Sequence, residues 1–279
     1  MTIKDILAHV DGSPAAQARF DIALGLAAPF GARVTALHLI AEPFMRGVST
    51  HIPGDVVQEH VAHAEVAADA VLAGLAAAAA ERGVGFRALK ESGSLDRLPH
   101  LLARDARNSD LVIVGQPDPD KGSSDDALLV EAAFMETGRP ALVLPHAGAA
   151  RVPFRRIVLA WNASREASRA VHDALPLLQD AAEVIVLVVD PDTLGATLGR
   201  QPGTGVTAHL EHHGVPARLK PVESRRRSAG DVILAEAAEA GADLLVMGGY
   251  GHSRLREALL GGATRTLLGR APLPVLLSH

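Results

Sequence analysis

Apolar positions along the chain fall into short, nearly continuous runs separated by longer Ala-rich stretches with apolar residues three and four apart. Short runs bounded by turn residues read as buried strands, and the stretches between them read as helices. Residues 6–13, ending in Asp11, Gly12 and Ser13, and residues 157–164, ending in Asn162, Ala163 and Ser164, open two such series. Each predicts strand, turn and helix. Further on, residues 110–115 (DLVIVG) match 243–248 (DLLVMG), and 140–144 match 274–277, at offsets of 133 and 134. Between these landmarks each half has a second apolar strand (33–40; 183–189), a helix, a third strand (85–90; 217–222) and another helix before the matched ending. The order is β-α-β-α-β-α-β-α-β, twice. Strands joined by crossover helices imply a parallel, doubly wound sheet in each half.

The Gly- and Pro-punctuated stretch 146–153 reads as the join. We therefore expect domains over 1–147 and 152–279, cut at about residue 150. Two like folds on a linker this short are expected to pack as an intramolecular pseudo-dimer, as homodimers do. The pattern does not say whether two chains associate further.

Composition narrows the picture. The chain has 279 residues, 48% hydrophobic and 21% charged, which places it with compact proteins and away from disordered ones. Aromatics are only 3%, so the core rests on Ala, Val, Leu and Ile, as expected for parallel strands between Ala-rich helices. Net charge is −5, which gives no general attraction to nucleic acid or anionic membranes. There is no cysteine, which excludes disulfides, thiolate metal sites and a cysteine nucleophile and fits a reducing cytoplasm. No signal peptide and no transmembrane span are expected.

The chemically informative stretch is 247–264, which reads G-x2-G-x9-G over Gly248, Gly251 and Gly261, with Gly262, Ala263 and Thr264 following. It starts where a buried strand ends. Gly248 and Gly251 let the backbone turn and approach a ligand with no Cβ in the way. Gly261 and Gly262 open a helix whose free N–H groups and positive dipole end suit phosphate. Read more plainly, such glycines serve turns and helix caps. A ligand of an open α/β sheet binds beyond the carboxyl ends of the strands, which here carry Asn162 and Val189.

On these motifs the chain resembles a tandem, two-domain bacterial member of the universal stress protein family, over essentially its whole length. The resemblance implies two Rossmann-like domains of the adenine nucleotide alpha hydrolase type, each a five-stranded parallel sheet with helices on both faces. It implies ATP or AMP, with or without Mg²⁺, as the ligand of the second domain. Asn162 then stands where the family has Asp, and Val189 supplies a main-chain contact to adenine. Gly248, Gly251, Gly261, Gly262 and Ala263 supply ribose and phosphate contacts, and Ala160, Trp161, Met247, His252 and Thr264 complete the set. Two departures stand out. Gly262 replaces the family's hydroxyl residue, so a phosphate hydrogen bond is lost unless Thr264 supplies it. Asn162 keeps an acceptor oxygen but lacks the charge.

The first half departs in the opposite way. Asp11, Gly12 and Ser13 are intact, but Gly115 is followed by a loop with Asp118, Asp120, Asp125 and Asp126 and only Lys121 to offset them. Those carboxylates would repel phosphate, so this half is expected to be a structural partner.

Other signals are weaker. His209, His212 and His213 have helical spacing that suits a metal, as do His51, His60 and His63, but each set reads more simply as a solvated face. Arg225, Arg226 and Arg227 follow a strand end; pairing with phosphate is the sharper reading and a solvated loop the favoured one. Residues 62–80 read as an Ala-rich packing helix. There is no G-x-S-x-G and no G-x4-G-K-[ST], and no catalytic residue is named. The role implied by resemblance is a stress-response regulatory protein acting on an unknown protein partner. The alternatives are a nucleotide-free interaction module and a slow Mg²⁺-dependent ATP hydrolase.

Overall fold

The computed structural model describes residues 2–43, 54–117, 124–146, 150–198, 202–249 and 262–279. The chain divides into two compact units, Thr2–Arg139 and Pro140–His279.

In the first unit the order is β1 (Asp5–Val10), α1 (Pro14–Phe30), β2 (Arg33–Ala41), α2 (Gly54–Glu81), β3 (Gly85–Gly93), α3 (Leu98–Ala106), β4 (Leu111–Gly115) and α4 (Ser124–Met135). Its strands lie in the order β3-β2-β1-β4, all parallel. The strand order reverses between β1 and β4. Leu111, Val112, Ile113 and Val114 of β4 are all buried, which is why its sequence is an unbroken apolar run and not an alternating one. The edge strand β3 carries far fewer buried positions.

The second unit begins with β5 (Ala141–Leu144) and continues with β6 (Arg156–Ala160), α5 (Arg165–Leu178), β7 (Glu183–Val189), α6 (Pro191–Leu198), α7 (Thr204–His212), β8 (Ala217–Val222), α8 (Ala229–Ala240), β9 (Leu244–Gly248), α9 (Ala263–Arg270) and β10 (Val275–Ser278). Strands β10-β9-β6-β7-β8 run parallel, and β5 adds to β10 antiparallel. The matched ending of the first half, β5, thus groups with the second unit.

Both units fix strand starts with the same device. The Asp110 carboxylate accepts the backbone N–H groups of Lys4 (2.7 Å) and Asp5 (3.0 Å). Asp243 does the same for Arg155 (2.7 Å) and Arg156 (3.0 Å). The first helix of each unit is also started alike: Ser13 Oγ accepts the Ala16 N–H and Ser164 Oγ the Ala167 N–H, both at 3.1 Å. Such an N-cap satisfies a donor the helix itself leaves free.

Two sequence expectations need correction. The single helix expected between β7 and β8 is two, α6 and α7; Pro202 precedes Gly203, which starts α7 with φ 94, a left-handed geometry that ends helical continuity. Helix α2 is, by length and apolar composition alone, able to cross a membrane, where no such segment was expected. Its apolarity is mostly alanine, and its buried side chains, Ala68, Leu72, Leu75 and Ala79, lie in its C-terminal half.

Candidate functional site

The carboxyl ends of β6, β7 and β9 carry six of the positions singled out in the sequence. Ala160 ends β6, Val189 ends β7, and Met247 and Gly248 end β9. Trp161 continues the β6 ladder by donating its N–H to the Leu187 carbonyl at 2.8 Å. Asn162 follows, exposed, with Oδ1 accepting the Ser164 N–H at 3.1 Å. That bond orients the amide by its carbonyl oxygen. Asp11 makes the same bond to Ser13 in the first unit, at 2.7 Å.

The backbone at this edge is strained. Four non-glycine residues adopt positive φ: Ala163 (60°), Asp190 (52°), Arg225 (50°) and Arg226 (70°). They directly follow, or lie within a few residues of, the ends of β6, β7 and β8, and among the described residues the first unit has none. Left-handed geometry costs a non-glycine residue about 1–3 kcal/mol and persists where surrounding structure enforces it, most often at ligand sites. At Asp190 the enforcement is visible: its N–H donates to the Val222 carbonyl (2.8 Å), and its Oδ1 accepts the Ser224 N–H (2.7 Å). The Ser224 bond holds the Asp190 carboxyl below its ordinary range. Sequence reasoning missed Asp190, although Asp190-Pro191 directly after a strand is a turn signal.

The helix that receives phosphate in the sequence reading is α9. Its N-cap, Gly262, makes no side-chain cap bond, unlike Ser13, Ser164 and Ser228 at their helices. Gly262 and Ala263 are partly exposed, whereas Thr264 is 2% exposed, so the open part of this helix end is main chain. Gly251, His252 and Gly261 lie outside the described residues. Gly248 has a second reason to be glycine: a Cβ there would collide with the backbone of Glu166 and Ala167 at the start of α5. The arginines lead into α8: a Cβ on Gly230, three residues after Arg227, would collide with the Thr266 side chain of α9, and Asp231 pairs with Arg270 of α9 at 2.8 Å.

His172 of α5 and His209 of α7 are in tilted ring contact (centroids 5.3 Å apart), and His209 meets His213, the C-cap of α7, edge-on at 4.6 Å. Among the described residues no group of three or more His, Asp or Glu is arranged to hold a metal. His60 and His63 are exposed on α2, and His51 lies outside the described residues, as do Asp118, Asp120 and Lys121.

In the first unit the equivalent edge is built differently. The Arg19 guanidinium is buried between β1 and β4: Nε donates to the His9 carbonyl at 2.7 Å, and Nη2 lies 3.6 Å from Asp11 Oδ2. Burial opposes ionisation of Asp11, but its bonds from Ser13 and the Arg19 charge hold its carboxyl below the usual range. His9 keeps some exposed surface, yet its ring is surrounded by protein; burial, with Arg19 next in weight, pulls it down to about 3.

The sequence pattern of the universal stress protein family matches residues 2–134 and again 153–279. The chain belongs to the universal stress protein family. Its tandem, Rossmann-like α/β architecture follows that of solved structures along the full length. A universal stress protein from Archaeoglobus fulgidus superposes with TM-score 0.73 at 17% identity, covering 99% of this chain and 96% of that one. A functionally unknown protein from Pseudomonas aeruginosa PAO1 gives 0.63 at 17%, with 99% and 92% covered. A putative universal stress protein from Pseudomonas aeruginosa UCBPP-PA14 gives 0.62 at 19%, with 99% and 93% covered. At such identities the likeness speaks for the fold. No protein of curated function matches the sequence.

Proposed function

We propose that the second unit binds an adenine nucleotide, ATP or AMP, across the carboxyl ends of β6, β7 and β9, and that the chain is a cytoplasmic stress-response binding protein whose occupancy is read by a partner. The observation that carries this reading is the clustering of left-handed Ala163, Asp190, Arg225 and Arg226 along this one edge. Strain held in place at the strand ends of a doubly wound sheet marks where a ligand is received. Family membership supplies the ligand class.

Asn162 and Trp161 would face the base, and the uncapped N-terminus of α9, with Gly262 and Ala263, the phosphates. Among the described residues the start of this helix offers phosphate main-chain N–H donors and the positive end of its dipole. No cluster of protein carboxylates accompanies it among the described residues, so Mg²⁺ would arrive on the nucleotide's own phosphates. Among the described residues of this donor set none is placed as a base for hydrolysis, and the reading is of a binder.

A nucleotide-free interaction module is the second reading, favoured by Gly248, whose glycine is already required by helix packing. Calorimetric titration of the full chain with ATP, AMP and GTP separates the two. Adenine-selective binding that falls at least tenfold in Gly261→Asp supports the first; no binding at millimolar nucleotide removes it. Product assay with Mg²⁺ is expected to give no ADP beyond one equivalent.

A further inference from the structure

A ligand of a doubly wound sheet enters at the fork where strand order reverses. In the first unit that fork lies between β1 and β4 and holds a cation belonging to the protein itself. Arg19 lies in the second turn of α1, and helical side chains tilt toward the helix N-terminus, which brings its guanidinium back to the carboxyl edge of the sheet. The side chain is only 8% exposed. It lies so close to β4 that a Cβ on Gly115 would meet the guanidinium, which would have to move aside. Both oxygens of Asp11 are engaged inside the unit, Oδ1 by the Ser13 N–H and Oδ2 by the guanidinium charge. Asp126 at the start of α4 adds a second negative charge to the balance. At the matching place on α5 the second unit has Ala170, buried and uncharged.

We infer that Arg19 closes the first unit to nucleotide by engaging, with its charge, the Asp11 carboxylate that would otherwise meet the base. Retention of Asp11, Gly12 and Ser13 is then no sign of a working site, and the chain takes up nucleotide in one unit only. This rests on the reading of the strand-end edge as the nucleotide edge.

The experiment is an adenosine titration of the full chain followed by backbone amide resonances, which tolerates weak affinity and leaves phosphate out. In the wild type, amides at Trp161, Val189 and Gly248 are expected to move, and those of Asp11, Ser13 and Gly115 to stay. In Arg19→Ala the first-unit set is expected to move as well, with an apparent affinity at least tenfold above the wild-type first unit. An unchanged first-unit set in a folded variant overturns the closure. Should Arg19→Ala lose its dispersed spectrum, Arg19→Met keeps the packed stem without the charge and is judged by the same criterion. Movement of the second-unit amides tests the nucleotide reading by itself, so failure of either is distinguishable from failure of the other.

Discussion

His9 links the first unit's stability to pH. Its imidazole has an ordinary value of 6.5 and is pulled down to about 3 in the folded chain. As pH falls below 6.5 the unfolded chain takes up this proton and the folded one does not, so stability is lost from 6.5 downward. The slope is at most about 1.4 kcal/mol per pH unit, or about 2 kcal/mol between pH 6.5 and 5. Urea unfolding of wild type and His9→Gln at the two pH values should give a shallower loss in the variant. At Gly248 the expected change is steric: Gly248→Ala drives a methyl into the start of α5 and should cost about 1–3 kcal/mol, read as a lower melting temperature of the second unit. Individual residues were legible where their roles are local. Asp11 and Asn162 bond two residues along, and Ser13 and Ser164 three, so spacing reveals them. Arg19 was not legible, because an arginine on a helix looks the same in sequence whether it faces water or a sheet fork 10 residues back in the chain at His9.

Strands were the most legible elements, since β4, β6 and β9 are buried on both faces and their apolar runs are unbroken. The helical connection after β7 was read as one element because its apolar spacing continues; the Pro202-Gly203 break was in view but the left-handed geometry it imposes was not. What joins α7 to α5 is an imidazole cluster. His209 meets His172 from α5 and His213 from its own helix, with His212 beside it; Arg169 and Asp173 on α5 are bonded to each other at 2.8 Å. Burial, then His213, His172 and His212, push His209 below its ordinary value, so protonation disfavours the folded contact as pH falls below about 6.5. Acidification from pH 7 to 5 should therefore speed amide exchange in α7 relative to α8. His209→Phe should remove that difference.

At the scale of the whole chain, the repeat and the doubly wound architecture could be read from two offsets and a handful of matched residues, because identical strand and turn chemistry recurs at both ends of each half. The place of β5 could not, since partner choice at a sheet edge leaves no trace in a strand's own sequence. Its four residues are all buried, and it covers the β10 edge. A segment comprising 140–279 should accordingly melt at least about 4 °C above one comprising 153–279, the shift about 1 kcal/mol makes in a domain of this size. The paired clamps Asp110 and Asp243 have a consequence of their own. They stand at the amino ends of the strands, where the two copies are built alike, while the carboxyl ends have become a strained edge in one copy and a fork that holds an arginine in the other. A substitution survey of the chain should therefore be mirror-symmetric along one rim of the sheets and lopsided along the other. Asp110 and Asp243 should tolerate replacement equally poorly, whereas Arg19 and Ala170 should share no pattern at all.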